Sequence, residues 1–307
     1  MITKTKKTKM KTLIELTNRF AMEGQVSFYK KQELDIIQIT NKHAQMDLSL
    51  YGAQVLSFIP NNEEDLLWMS SLSEFKQGKA IRGGIPLCFP WFGPHDSDDS
   101  LPQHGFARLS VWNLEEVKQL EDDRTSVTLT IQSSPDTKKY WPHEFYAELT
   151  VIVGKELEVN LTVNNTDSDS FKYTSALHTY LAVGDINNAK IEGLKNTEYY
   201  WGFEDTIQKQ DDELLSITKE ENRRYINTSN TCFIQNSLNN KTTAIDKKGS
   251  NVTVVWNPWQ ETCLQMKDVE NEAYKSFVCV EAANYYYDYI VLKPGESHTT
   301  STKIRLK

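Results

Sequence analysis

The sequence predicts an all-β protein, a large antiparallel β-sandwich with few short helices. Many short runs alternate apolar and polar residues, the two-residue period of a half-buried strand. Gly, Pro, Asn and Asp clusters separate these runs at turn-length intervals, as antiparallel connections require. Apolar spacing at the helical period is confined to two short segments, which excludes a helix-rich architecture.

Residues 1–11, rich in lysine and threonine, read as a disordered tail. They lack the apolar stretch of a signal peptide and the arginine-bearing amphipathic pattern of a transit peptide. Residues 12–307 read as one sandwich domain, because no repeat period and no Gly- or Pro-rich linker interrupts them. An amphipathic turn is expected at 13–20 and a second helical segment at 65–75. Strands are expected at 35–40 and 46–59, with Tyr51-Gly52 interrupting the second as a bulge or tight bend. Residues 126–132 alternate cleanly, and 148–153 with 156–163 flank Gly154-Lys155 as a hairpin. Further strands are expected at 252–256, 277–281, 289–292 and 299–306. The Asn- and Lys-rich stretch 187–250 gives strands joined by longer loops, without defined bounds.

The hydrophobic share of 39% supports a substantial core. A net charge of -8 argues against a nucleic-acid partner. It does not argue against a small anion, since screening over roughly 8 Å leaves pocket arginines to dominate distant surface charge. Cys88, Cys232, Cys263 and Cys279 form no CxxC pair and no compact disulfide pattern, which fits reduced thiols in a cytoplasmic protein. No apolar run reaches membrane-spanning length. No heptad pattern is evident either, so a monomer is expected. No GxxxxGK[ST] or GxGxxG is present, which sets nucleotide-driven chemistry aside. His43, His95, His143 and His298 show no metal-ligand spacing, so no metal site is expected.

The most informative stretch is Arg82-Gly83-Gly84-Ile85-Pro86-Leu87-Cys88-Phe89-Pro90-Trp91-Phe92-Gly93, followed by Gln103-His104-Gly105-Phe106-Ala107-Arg108. Arginines beside glycines suggest close backbone approach to an anion, which a guanidinium fork would hold. Aromatics beside polar donors suit a sugar ring. Together these features point to a phosphorylated sugar. An extended backbone would put His104, Phe106 and Arg108 on one face. Gln103 is a weaker candidate for a hydroxyl or phosphate contact.

His178 lies in an apolar run and shares a strand face with Thr174, Ala176 and Tyr180. It reads as a ligand-facing histidine or as a core histidine satisfied by a carbonyl. Glu281 ends 277–281 on the face of Phe277 and Cys279. A carboxylate there is either ion-paired or used in catalysis, with burial raising its pKa. Trp91, Phe92, Trp256 and Trp259 are core residues or a sugar platform, and Trp256-Asn257-Pro258-Trp259 is the best placed for a pocket rim.

These segments, with Ser175–Ile186 and Val278–Asn284, resemble the hexose-6-phosphate mutarotases (glucose-6-phosphate 1-epimerases) of the aldose 1-epimerase superfamily. The resemblance runs from about Leu13 to the end, in the right order. It implies a galactose mutarotase-like supersandwich and cofactor-independent interconversion of hexose 6-phosphate anomers, with D-glucose 6-phosphate as substrate. It further implies Glu281 as base, His178 as acid, His104 on the substrate and ring oxygen, and Arg82 with Arg108 on the phosphate. Neither a cofactor nor a metal is implied. The family's usual aspartate falls on Asn222, or on Glu221 after a small register shift. Two alternatives remain: an aldose 1-epimerase for unphosphorylated sugars, and a non-catalytic sugar-phosphate sensor.

Overall fold

The computed structural model describes residues 12–202 and 204–307. The tail expected at 1–11 lies outside the described residues. Two large antiparallel sheets, of nine and eight strands, make up most of the molecule, with a four-stranded sheet beside them. In the nine-stranded sheet, Phe145–Val153 and Leu157–Asn165 pair across the Gly154 turn. Both strands bury every second residue, as their sequence alternation requires. Strand Ser297–Leu306 extends the same sheet and lies against Phe277–Asn284 of the eight-stranded one. One continuous buried cluster joins the two, with Leu149, Val151 and Leu161 from one sheet and Leu177, Val255 and Val280 from the other.

The eight-stranded sheet carries the order Glu221–Tyr225, Val252–Asn257, Phe277–Asn284, Ser175–Leu177 at its centre. Phe277–Asn284 is buried at all its residues, because strands flank it and other elements cover both its faces. The helix Leu13–Phe20 forms as expected. Thr12 and Glu15 close a capping box at its start, and Leu16 and Phe20 face the core. Segment 46–59 is a hairpin rather than one bent strand, Ala44–Ser49 turning through Gly52 into Gln54–Pro60.

Two expectations are corrected. Segment 65–75 is not helical: Leu67 and Met69 bridge to Leu181 and Gly83, and the Asp65 carboxylate accepts from the amides of Phe58 and Leu67. Tertiary partners take the groups that a helix would have used. After Pro258 the chain forms a helix, Trp259–Gln265, instead of a bare rim turn. Proline suits such a start because the first helical amides need no partner inside the helix. As expected, 187–250 holds strands joined by loops: among the described residues there are seven, most of them only three to five residues long, which leaves little alternation to bound them in the sequence. All four cysteines are free and buried. Among the described residues, no helix is long and apolar enough to cross a membrane.

Gly83 and Gly84 prove to be packing devices. At φ +63°, a Cβ on Gly84 would sit 2.1 Å from the Val55 carbonyl oxygen. One on Gly83 would sit 2.4 Å from that of Trp68. Their close approach is to neighbouring backbone rather than to an anion. Gly84→Ala should therefore destabilise far more than Gly24→Ala, which has a similar φ and open space around it. The difference expected in urea unfolding is about 1–3 kcal/mol, the usual cost of overpacking. Equal losses would show that φ alone, not the Val55 contact, demands glycine.

Candidate active site

Sheet register brings the key residues together. Val254 pairs with Arg224 on one side and Glu281 on the other, so these three form one row across the sheet. Asn222, Trp256, Cys279 and Tyr180 form the next row on the same face. Leu177 pairs with Ala282 and, three residues further along each strand, Tyr180 pairs with Cys279. That continuous register sets His178 opposite Glu281, although pairing lapses there and the His178 amide donates to the Pro86 carbonyl instead. The lapse opens the sheet at the histidine. Above it lies a cavity of about 330 Å³, within the usual range for small-ligand sites.

His178 Nε2 stands 3.5 Å from Glu281 Oε1. That is longer than an ordinary hydrogen bond, so neither group is consumed by the other. Glu281 Oε2 and His178 Nδ1 are buried without a hydrogen-bond partner. The residues are 1% and 9% exposed, and both line the cavity. Burial pushes the Glu281 carboxyl well above its ordinary range. Burial, reinforced by the positive charges of Arg82 and Arg108, lowers His178 to about 3. Burial thus favours the neutral form of both groups, and the carboxyl holds a shared proton more tightly than the imidazole. Two adjacent groups sharing a single transferable proton can act as acid and base in turn.

His104 also lines the cavity, its ring 5.8 Å from that of His178 and perpendicular to it. Its Nδ1 accepts from the Gly93 amide at 3.0 Å, which fixes the neutral tautomer with Nε2 as the donor. Burial and the neighbouring Arg108, His178 and Arg82 hold its pKa well below the usual value, so it stays neutral. The extended backbone expected over 103–108 is not present. His104 has φ +64°, and Ala107–Leu109 is a 3-10 turn. Gly105 allows the bend, for a Cβ there would lie 2.1 Å from the Phe89 carbonyl oxygen. Phe106 packs into the core, and Arg108 is not among the residues lining the cavity, although its charge reaches His104 and His178. Arg108 Nη2 donates to the Gln103 carbonyl at 2.8 Å, and burial lowers its pKa.

Arg82 is in the wall, bound to Asp268 through Nε at 3.0 Å and to the Tyr180 hydroxyl through Nη1 at 2.9 Å. Burial opposes its charge, but Tyr180 and Asp268 outweigh that and raise its pKa. Gln103 and Asn222 both line the cavity. Glu221 does not: it is buried on the other face in a two-point pair with Arg223, at 2.7 and 3.1 Å. Phe92 and Trp256 are in the wall, whereas Trp259 packs on Tyr274 and Trp91 donates to the Pro102 carbonyl. Arg224, Met266 and Tyr285 also line the cavity and were missed in the sequence. Arg224 shares the face of Asn222 on the strand Glu221–Tyr225, whose bounds the sequence did not define; Tyr285 and Met266 come from irregular segments that carry no alternation signal.

One possible ligand trio escaped the spacing rules. His178, Cys279 and Glu281 bring donor atoms within 4.8 Å of one another, all buried. Burial pushes the Cys279 thiol well above its usual range, which keeps it protonated. The two guanidinium charges that depress His178 would repel a cation at the same place. The donor set therefore suits proton transfer better than a divalent ion.

The buried pair also makes a signed prediction for stability. Between about 3 and 6.5 only the unfolded chain protonates His178, so this group makes stability rise with pH. Above 4.5 the folded chain holds the Glu281 proton more tightly than the unfolded chain, so that group makes stability fall as pH rises. Between 4.5 and 6.5 the two groups therefore act with opposite sign in the wild type. Glu281→Gln should unmask a rise of up to about 1.4 kcal/mol per pH unit, and His178→Asn a fall. Urea unfolding across that window reads both; slopes of the same sign in the two variants would refute the assignment.

The aldose 1-epimerase family matches residues 35–305. A protein of Escherichia coli K12 named "Putative glucose-6-phosphate 1-epimerase" is 36% identical over 276 residues, covering 88% of this chain and 90% of its own. A protein of the same name from Cenchrus ciliaris is 36% identical over 260 residues, covering 81% and 78%. The crystal structure of a "putative mutarotase" from Salmonella typhimurium superposes with a TM-score of 0.87 at 32% identity, covering 94% and 95%. With a family match over most of its length and a sandwich of the same architecture, the chain belongs to the aldose 1-epimerase family.

Proposed function

We propose that this chain interconverts the α and β anomers of a hexose 6-phosphate, with D-glucose 6-phosphate as the substrate to test first. The observation that carries the reading is the convergence of His178 and Glu281 in one cavity with Arg82 in its wall. Anomer exchange opens a cyclic hemiacetal, rotates the C1–C2 bond and closes the ring on the other face. Opening removes a proton from the C1 hydroxyl and adds one to the ring oxygen, so the substrate gains and loses one proton. Glu281 is the base and His178 the acid, and the roles reverse on closure.

The carboxyl outcompetes the imidazole for a shared proton, so that proton must first pass to the imidazole. A phosphate beside Arg82 favours that transfer, because it offsets the guanidinium repulsion that depresses His178. His104 Nε2–H donates to a substrate oxygen. Asn222 and Gln103 hold hydroxyls, and Phe92 and Trp256 offer apolar surface to the ring. Arg82 supplies the contact to the phosphate, and Arg108 adds positive potential. One observation favours unphosphorylated sugars instead: Arg82 already holds Asp268.

Exchange NMR on glucose 6-phosphate and glucose separates these readings. The wild type should accelerate exchange of the phosphorylated sugar above the buffer rate and prefer it to glucose. His178→Ala and Glu281→Gln should each lower kcat by about 10² to 10⁴-fold. The double variant should lose little more, since the pair works as a unit. Arg82→Ala should raise KM for the phosphate ester well beyond its effect on glucose. Binding of glucose 6-phosphate with exchange left at the buffer rate would identify a sensor rather than an enzyme.

A further inference from the structure

We propose that Asp268 and Tyr180 are positioning residues that make Arg82 a reader of the substrate's phosphate monoester and carry its occupancy to His178. The inference rests on the hexose 6-phosphate reading and names the residues that would set its specificity.

The argument starts from the donors of Arg82. A guanidinium has five N–H groups in a fixed plane. One on Nε and one on Nη2 face the Asp268 carboxylate, at 3.0 and 3.4 Å, and one on Nη1 donates to the Tyr180 hydroxyl at 2.9 Å. Two remain, one on each terminal nitrogen. Asp268 lies outside the cavity wall while Arg82 lies in it. The carboxylate thus grips the guanidinium from behind and aligns it, in a plane that two-point binding of a phosphate requires. Because Asp268 is substantially exposed, with 39% of its side-chain surface open, it orients Arg82 without cancelling its charge in the cavity.

The link to the chemistry runs through Tyr180. Its ring is stacked on the His178 imidazole, 4.9 Å between centroids and 14° from parallel. Trp68, Trp256 and Phe277 pack around the same ring, which is 1% exposed. A ring so enclosed cannot yield at one edge without moving at the other. When phosphate draws the Arg82 guanidinium toward the cavity, the load on the Tyr180 hydroxyl changes, and the stacked imidazole responds. Phosphate binding and acid placement are then one coupled event, a use of remote binding energy at the reacting centre.

The test compares wild type with Asp268→Asn and Tyr180→Phe, which keep side-chain size and ring stacking, by exchange NMR on glucose 6-phosphate and glucose. The expected result is a fall of about tenfold in the ratio of kcat/KM for the phosphate ester to that for glucose, the size of one charged hydrogen bond. In Asp268→Asn the loss should appear in KM, and in Tyr180→Phe in kcat. Inorganic phosphate added with glucose should accelerate wild-type exchange and shift the His178 imidazole resonances, and should do neither in Tyr180→Phe. An unchanged ratio in both variants, equal losses on both sugars, or a lower KM for the ester in Asp268→Asn overturns the proposal. If Tyr180→Phe fails to fold, Asp268→Asn and the wild-type phosphate titration still decide. Should the wild type not prefer the phosphate ester at all, the substrate reading fails and not this coupling alone.

Discussion

Glu281 is a carboxyl group on a strand buried at every residue, and one of its oxygens has no hydrogen-bond partner. Across the register gap His178 leaves a ring nitrogen in the same condition. Each unmet buried group costs about 1–3 kcal/mol, so a fold seeking stability alone would not place two of them together. A large shared core offsets the cost. The strands behind the site interlock through Leu177, Val255 and Val280, and these side chains hold the pair's backbone in place whatever its charge. Stability given up at one point in the sheet buys two groups poised to exchange a proton.

The electrostatics of the cavity follow from the same burial. Two guanidinium groups stand close enough to His178 to lower its proton affinity, and both reach His104 as well. In low dielectric such fields act with little screening. The cavity therefore favours neutral imidazoles and strengthens the carboxyl's hold on its proton. Under the proposed hexose 6-phosphate reading, a phosphate beside Arg82 would offset that bias, since it brings negative charge to the side of the guanidinium groups.

The clean alternations around Gly154 gave their hairpin directly, because each of those strands has one face on the core and one face free of it. His178 and Glu281 were legible as candidates only through the order of motifs along the chain; by spacing alone His178 reads as a core histidine and Glu281 equally as half of a buried ion pair. Segment 65–75 failed because its helix-like spacing met bridging partners at Leu181 and Gly83 that local sequence does not encode. The alternation argument for 103–108 failed at one residue, a histidine in left-handed conformation, which rotates everything after it. The glycines of the Arg82 segment were read for a ligand and proved to serve backbone packing.

By itself the sequence determined what is periodic or local: the all-β class, the strong hairpin, the capped first helix and the residue types needed for sugar chemistry. Only the tertiary structure decided which of those residues meet. Register between strands distant in the chain sets His178 against Glu281, and Asn222 rather than Glu221 toward the cavity. It also set the Arg108 guanidinium on the Gln103 carbonyl and gave Arg82 its partners in Asp268 and Tyr180. The reason is physical: alternation fixes which residues share a face of one strand, while the pairing offset between strands, set by packing of the whole core, fixes who stands opposite.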